Sequence, residues 1–321
     1  MRPSKGGAAL GHRWGFVMGA RDRAQTAKRR GKALRWAGAL ALSTAIVMFA
    51  PASFPDPASA QFQEANIHHS GLLGTKTLAL TFDDGPSRFT GELLDILKAH
   101  NIKATFFVLG RQAERFPTLL ARMRDEGHVI ANHSTTHARL GRKYSRNADM
   151  LLAEVGDTHE VIAPFLRPGQ GLYFRAPYGF WRVSHAETLN ADPVLRHYVG
   201  PVFWDIGGHT SIDGEGKASA SADWDCWRRE WTAEECEVGY MREIARKKGG
   251  VALFHDVRER TIKMVETMIP VLVADGYRFV TLDQVPAYDQ YKTPQDLPSV
   301  PVASLEGRQL ADNSPRWTWV Q

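Results

Sequence analysis

The sequence has few cysteines, no long apolar stretch and no internal repeats. Only two of its 321 residues are cysteines, so a small scaffold built on many disulfide bonds is excluded. The uncharged run at 36–50 is shorter than the roughly 20 residues that a membrane-spanning helix needs. The absence of repeats excludes solenoid and propeller architectures.

An excess of basic residues is also absent from most of the chain. The formal net charge is +5, but residues 1–60 contain ten Lys or Arg and only two acidic residues. The rest of the chain carries 30 basic and 33 acidic side chains, a net charge of −3. This balance gives no indication of nucleic acid as a partner.

The basic N-terminal segment, 1–60, has the pattern of a signal peptide. Its charged part ends at Arg35, the uncharged run 36–50 follows, and the small residues at 58–60 form a cleavage pattern. We therefore expect an exported protein, periplasmic or extracellular. An uncleaved anchor is the alternative, and the leader would then be the only contact with the membrane.

One catalytic domain is predicted at 76–285, between a lead-in at 61–75 and an irregular Pro-rich tail at 286–321. Short apolar runs alternate there with helical patterns, and the runs are continuous, as in parallel strands buried on both faces. This order indicates an α/β fold whose length suits a barrel. Residues 207–232 interrupt the alternation and are predicted to be an insertion.

Reactive side chains follow five of the predicted strands. In parallel α/β folds the C-terminal ends of the strands open on one face, where catalytic residues collect. We therefore expect one site to be formed by these clusters: Asp83-Asp84, His133 to His137, Arg175 to Tyr178, Trp204-Asp205 and His255-Asp256.

Asp83 and Asp84 are adjacent at the end of an apolar strand. Successive side chains of a strand point to opposite faces, so both acids can serve one site only if the chain bends, and Gly85-Pro86 supplies a bend. Such a pair can divide the work, because one acid can bind a metal while its neighbour moves a proton. A solvated acidic turn is the alternative for the pair taken alone.

His133 and His137 are four residues apart, so on a helical turn both imidazoles could share a metal ion. Asp84 would add an oxygen ligand, and three protein ligands leave one position open, as in catalytic zinc sites. We therefore predict one divalent metal at these three residues. Zinc is favoured by two nitrogens and one oxygen, and Co, Ni or Mn also suit such ligands.

The motifs and their order resemble those of the polysaccharide deacetylase family, carbohydrate esterase family four. The matching segments are 81–86, 133–137, 175–178 and 253–256, and the resemblance covers about residues 76–285. It implies a distorted (β/α) barrel of about seven strands that hydrolyses N-acetyl or O-acetyl groups on sugars.

The resemblance also implies roles for individual residues. Asp83 would be the general base, and Arg175 would hold it ionised and oriented. His255 would be the general acid. The backbone N–H of Tyr178 would help the metal to stabilise the oxyanion.

The fourth motif departs from the family pattern Trp-x-x-Asp-x-x-Asp-Trp. Alignment on Trp204 puts Gly207 and Thr210 at the two aspartate positions. The aspartate that tunes the acid histidine is therefore left open among three candidates: Asp205, Asp223 and Asp225.

Cys226 and Cys236 lie close together in sequence, and an even cysteine count in an exported chain predicts a disulfide bond between them. Tryptophans at 224, 227 and 231 either form a lip that stacks on sugars or pack within a stapled flap. Outside the insertion, three residues are predicted to contact the substrate: Trp181, Trp204 and Pro177.

The first functional hypothesis is a monomeric, exported N-deacetylase of cell-envelope glycan containing GlcNAc or of chitooligosaccharide. An O-acetyl esterase acting on xylan or exopolysaccharide would use the same mechanism. A catalytically dead glycan-binding protein would lack a base, a ligand or an acid, and this sequence has all three. The residues do not identify the glycan.

Overall fold

The computed structural model describes residues 62–68 and 73–291; the predicted leader and most of the predicted tail lie outside them. In this described part, no helix combines the length and apolar character needed to cross a bilayer. The strands and helices, in chain order, are β1 (Phe62–Ile67), β2 (Thr77–Asp83), α1 (Thr90–Ala99), β3 (Thr105–Val108), α2 (Gly110–Arg115), α3 (Pro117–Asp125), β4 (Val129–Asn132), α4 (Ala148–Ile162), β5 (Leu172–Tyr173), α5 (Val183–Ala191), β6 (Tyr198–Val202), β7 (Ser211–Ile212), β8 (Ala218–Ala220), α6 (Asp223–Arg228), α7 (Ala233–Lys247), β9 (Gly249–His255), α8 (Glu259–Ala274) and β10 (Arg278–Val280).

Parallel pairing organises most of these strands into two sheets. In the first sheet β2 lies between β9 and β3, β4 follows β3, and β10 pairs with the first half of β2. The second sheet has the order β1-β6-β5. Single parallel bridges, Asn132 to Phe174 and Ile206 to Ala252, connect the two sheets. The predicted α/β distorted barrel is therefore confirmed, although the ring of strands is not evenly closed.

Strand β2 shows how the barrel places a carboxylate in its interior. Leu78 and Phe82 pack in the apolar cluster that includes the surrounding helices. Ala79 belongs to a second cluster, to which residues of β3, β4, β5, β6 and β9 also contribute. Because strands from around the barrel contribute to this second cluster, it forms the barrel interior. Thr81 and Asp83 lie two and four residues after Ala79 on β2, so their side chains also point into the interior.

The helical pattern at 113–126 predicts one helix, but the structure has two, α2 and α3, which meet at Phe116. Pro117 occupies the first position of α3. Because proline lacks an N–H and favours the first turn of a helix, the chain ends one helix and starts another there.

The segment 61–75, predicted as a lead-in, contains a strand. Residues of β1 pair in parallel with β6, and the Phe62 ring packs against Phe174 at 5.6 Å and Trp181 at 5.7 Å between centroids. The barrel sheet therefore begins before residue 76. At the other end, Tyr288, in the predicted tail, is buried in the interior cluster.

Candidate active site

The carboxylates of Asp83 and Asp84 point to one site because the backbone turns from an extended to a left-handed conformation between the two residues. Asp83 ends β2 and is 2% exposed. Asp84 has φ of 73°, in the left-handed region that few non-glycine residues occupy. The bend predicted at Gly85-Pro86 thus begins at Asp84. Gly85 is required next, since a Cβ there would lie 2.2 Å from a carboxylate oxygen of Asp256.

The buried guanidinium of Arg175 fixes the Asp83 carboxylate. It donates hydrogen bonds to Asp83 Oδ1 at 2.7 Å and to Thr81 Oγ1 at 2.8 Å. Its Nε and Nη2 donate to the backbone carbonyls of Val202 and Phe203, both at 3.2 Å. Burial raises the pKa of Asp83, and the charge of Arg175 opposes that rise. The result is a carboxylate held in one orientation and more basic than an exposed one.

Asp84, His133 and His137 bring three potential ligand atoms within 4.8 Å of one another. Asp84 Oδ1 lies 3.2 Å from His137 Nε2 and 3.5 Å from His133 Nε2. The histidines are on a loop rather than the helical turn that their spacing predicts, and His137 has φ of 59°. The loop brings the two rings to 5.1 Å between centroids.

The state of these side chains fits a bound cation. His133 Nδ1 donates to the carbonyl of Arg175 at 2.8 Å, which leaves the lone pair of Nε2 facing Asp84. Burial lowers the pKa of His133 to about 3, so its ring is neutral, as a metal ligand must be. Asp84 Oδ1 is buried and has no hydrogen-bond partner in the described residues. A divalent metal would satisfy that oxygen.

The loop that carries the two histidines is held by Glu154 of α4. The Glu154 carboxylate accepts hydrogen bonds from the Thr136 N–H at 3.0 Å and the Thr136 hydroxyl at 2.6 Å. Asn132 Oδ1 accepts another from the Ser134 N–H at 2.9 Å. Sequence reasoning missed Glu154 because it looks like any other charged position of a helix.

Asp223 is the aspartate that contacts His255. Its Oδ1 lies 2.7 Å from His255 Nδ1, and its Oδ2 accepts the His255 backbone N–H at 2.8 Å. Burial lowers the pKa of His255, but Asp223, with smaller contributions from Asp84 and Asp83, raises it to about 10 overall. The imidazole is therefore protonated near neutral pH, as a general acid must be.

The other two candidates for this role have different partners. Asp205 Oδ2 accepts the backbone N–H of Val251 at 2.9 Å, near the start of β9. Asp225 pairs with Arg228 at 2.5 Å and with Arg229 at 2.7 Å. Neither carboxylate contacts His255 in this arrangement.

Gly207 cannot be replaced by the family aspartate without a shift of the chain. It has φ of 87°, and a Cβ at this position would lie 2.4 Å from the carbonyl oxygen of Leu253. The tuning carboxylate comes instead from the first residue of α6, 16 positions further along.

Tyr178 lies at the mouth of the metal site. It has φ of 59° within the short turn Pro177–Gly179, and its side chain is 66% exposed. Its ring lies 4.5 Å from that of His137. The role of the Tyr178 backbone N–H stays a prediction.

The predicted substrate contacts differ in their placement. Trp204 stacks on Phe203 at 4.0 Å and lies 5.6 Å from the Arg175 guanidinium, close to the site. Trp181 instead packs against Phe62, and its indole N–H donates to the carbonyl of Gln63 at 2.9 Å. The indole of Trp181 thus anchors β1, which argues against a substrate-binding role. Pro177 is buried and also offers little surface to a substrate.

Two of the three tryptophans of the insertion pack within the fold, and the third is exposed. Cys226 and Cys236 form a disulfide bond that links α6 to α7, in the predicted pairing. Trp227 and Trp231 pack against the apolar cluster that contains Leu78 and Phe82. The indole N–H of Trp227 also donates to the Thr261 hydroxyl at 3.0 Å. Trp224, directly after Asp223, is 50% exposed beside the site.

Comparison with known proteins agrees with this geometry. A family model described as polysaccharide deacetylase matches residues 71–194. The peptidoglycan-N-acetylmuramic acid deacetylase PdaA of Bacillus subtilis is 30% identical over 211 residues, 65% of this chain and 71% of the relative. A solved structure of PdaA, described as a family 4 carbohydrate esterase, has a TM-score of 0.51 at 25% identity and covers 70% of this chain and 85% of that chain.

Two further relatives have other stated substrates. The peptidoglycan-N-acetylglucosamine deacetylase of Listeria monocytogenes is 30% identical over 221 residues, which are 65% of this chain and 39% of the relative. The chitooligosaccharide deacetylase of Sinorhizobium fredii is 29% identical over 226 residues, covering 66% of this chain and 92% of the relative.

The barrel and the order of the motifs are those of the carbohydrate esterase class, and the Asp-His-His cluster is a candidate metal site within it. This chain belongs to the polysaccharide deacetylase family. It spans about two fifths of the length of the Listeria relative.

Proposed function

We propose that this chain is a metal-dependent deacetylase that hydrolyses the N-acetyl group of GlcNAc residues in cell-envelope glycan or chitooligosaccharide. One observation carries the proposal: the Arg175–Asp83 pair, the cluster of Asp84, His133 and His137, and the Asp223–His255 pair lie at one end of the barrel. The relatives with substrates of these kinds support the choice of an N-acetylated glycan.

Asp83 has the position and basicity of the general base. Its carboxylate lies within the site, 3.6 Å from His133 Nε2 and so beside the ligand cluster. It would take a proton from the attacking water, while Arg175 holds its other oxygen in place. Burial makes this carboxylate a stronger proton acceptor than one in water.

A divalent cation held by Asp84, His133 and His137 would polarise the acetyl carbonyl and acidify a water molecule. Zinc is proposed because two imidazoles and one carboxylate suit it. The backbone N–H of Tyr178 would donate to the oxyanion, an interaction worth about 3 kcal/mol in comparable sites.

His255 would complete the reaction by protonating the amine nitrogen as the C–N bond breaks. Amines are poor leaving groups unless they are protonated, so an imidazolium beside the site is needed. Asp223 keeps this imidazolium charged and fixes its ring through Nδ1, which leaves the Nε2 proton available.

The proposal is tested by acetate release from four substrates: peptidoglycan, chitooligosaccharide, poly-N-acetylglucosamine and acetylated xylan. We expect release from the first three, its loss with a chelator and its recovery with zinc. Release from xylan alone would favour an O-acetyl esterase. No release from any substrate would leave a glycan-binding protein as the explanation.

We also propose that the domain acts outside the cytoplasm, as the leader pattern at 1–60 suggests. N-terminal sequencing of the protein from fractionated cells tests this. A mature chain starting near residue 61 is expected for a cleaved signal peptide, whereas an intact leader in the membrane fraction would indicate an anchor.

A further inference from the structure

Two arginines stack on one phenylalanine beside the candidate active site. The guanidinium carbon of Arg139 lies 4.8 Å from the centroid of the Phe180 ring, and that of Arg182 lies 5.3 Å from it. Both arginines are exposed, whereas Phe180 is half-buried. The two charges are therefore no more than about 10 Å apart, roughly the Debye length at physiological salt.

Neither of these two charges forms an ion pair in the described part of the chain. Among residues 62–68 and 73–291, neither Arg139 nor Arg182 has an acidic partner within 4.0 Å, although eight other arginines do. The loop after His137 adds three more exposed cations and no acid: Arg142, Lys143 and Arg146. Like charges at this separation repel, so the pair favours a bound anion.

The arginines and Phe180 adjoin residues of the metal site in the chain. Arg139 follows the proposed ligand His137 by two residues, and Phe180 follows Tyr178 by two residues. The rings of His137 and Tyr178 are 4.5 Å apart. A sugar whose acetyl group reaches the ligands would therefore place a neighbouring sugar near the two guanidinium groups.

We propose that Arg139 and Arg182 form an anion subsite that binds a carboxylate on the sugar next to the acetylated residue. The substrate is then an acidic glycan, preferred over a neutral GlcNAc polymer. Guanidinium groups suit this task because each offers planar pairs of N–H donors that match a carboxylate. Stacking on Phe180 holds both groups in place and so lowers the entropic cost of binding. This inference rests on the proposed deacetylase function.

The test uses three GlcNAc oligosaccharides of equal length with full-length protein. The first is neutral, the second has a uronic acid next to the acetylated sugar, and the third is the methyl ester of the second. We expect kcat/KM to be about tenfold higher for the acid than for its ester, as two exposed ion pairs of ~0.7 kcal/mol each would give. That ratio should fall towards one at high salt.

The double variant R139Q/R182Q should lose the preference for the acid over its ester. Arg115→Gln is the matched control, because Arg115 is also exposed and stacks on a phenylalanine, Phe116, at 5.8 Å. It should keep the wild-type ratio. A misfolded fraction would lower both rates equally, so the ratio reports the subsite alone.

The outcomes separate this subsite from the proposed function. Equal kcat/KM for acid and ester, or rejection of the acid while the neutral oligosaccharide is hydrolysed, would overturn the subsite and leave the deacetylase intact. A preference that persists in the double variant would also overturn it. No acetate from any oligosaccharide would contradict the deacetylase proposal itself.

Discussion

At the scale of single residues, two buried charge pairs define opposite ends of the proposed reaction. Arg175 holds Asp83 as a proton acceptor, and Asp223 holds His255 as a proton donor. In each pair the partner is as buried as the reactive group or more so. The two groups therefore have separate environments, as a general base and a general acid that act at the same pH require.

Replacement of Asp83 by Asn should abolish turnover and retain the metal. The amide keeps a hydrogen-bond acceptor for Arg175 but cannot take a proton, so kcat should fall by about 10²- to 10⁴-fold. Acetate release and metal analysis of the purified variant measure the two effects. Asp125→Asn, which removes a carboxylate paired on the surface with Arg124, is the control. Wild-type rates in Asp83→Asn would refute the assignment of the base.

Replacement of Asp223 by Asn should move the alkaline limb of the pH profile to lower pH. His255 must be protonated to act as an acid, and Asp223 is the main group that raises its pKa to about 10. Loss of that charge lowers the pKa, so activity is lost earlier as the pH rises. The profile of kcat/KM against pH measures the shift. Asp225→Asn should leave the limb in place, and an unmoved limb in Asp223→Asn would exclude the tuning role.

At the scale of elements, helices around the barrel position the segments that carry the candidate site residues. Helix α4 supplies Glu154 to the histidine loop, and α6 supplies Asp223 to the end of β9. The disulfide bond from Cys226 to Cys236 then connects α6 to α7. Each half of the site thus depends on one helix that contributes no ligand.

Glu154→Ala should weaken metal binding without unfolding the domain. The variant leaves the N–H and hydroxyl of Thr136 without their acceptor, so the loop between His133 and His137 becomes less well ordered. Loss of such outer contacts typically lowers metal affinity by about 10- to 100-fold. Zinc titration calorimetry measures the change, with Glu160→Ala on the exposed side of the same helix as the control. Equal affinities would show that Glu154 does not position the loop.

The positions of the strand ends could be predicted from the sequence. The convergence of the residues at those ends could therefore be predicted too: Asp83, Asp84, His133, His137 and His255. Parallel strands open on one face whatever the details of their connections. The choice of Asp223 was not predictable, because the insertion breaks the spacing from Trp204. The position of one strand also differs from the prediction. Apolar residues predict a strand at 202–204, whereas β6 is Tyr198–Val202. Gly200-Pro201, which usually argues against a strand, lies within it.

At the scale of the whole molecule, the site exists only when distant segments pair. Asp83 lies directly opposite His255 in the register of β2 and β9, and Asn132, just before His133, bridges to Phe174, just before Arg175. The ligands therefore converge in the folded state alone. Metal binding and folding of the domain should be coupled.

Zinc should raise the melting temperature of the domain, and a chelator should lower it. A metal at 100 times its Kd stabilises the folded state by about 2.7 kcal/mol if it does not bind the unfolded chain. His133→Ala should abolish the rise, because it removes a ligand. The control variant His209→Ala, which replaces an exposed histidine in a loop, should retain the rise in melting temperature. The same rise in both variants would place the metal elsewhere.

The left-handed residues of the site imply that it stores backbone strain. Four of the eight non-glycine residues with positive φ in the described chain lie there: Asp84, Ser134, His137 and Tyr178. Each left-handed residue costs about 1 kcal/mol, so the four together lower the stability of the fold by several kcal/mol. Ser134 is the one of the four without a proposed chemical role, and its hydroxyl has no partner in the described residues. Ser134→Gly should therefore stabilise the domain by up to about 1 kcal/mol in a denaturant titration, whereas a loss of stability would mean that the site is relaxed.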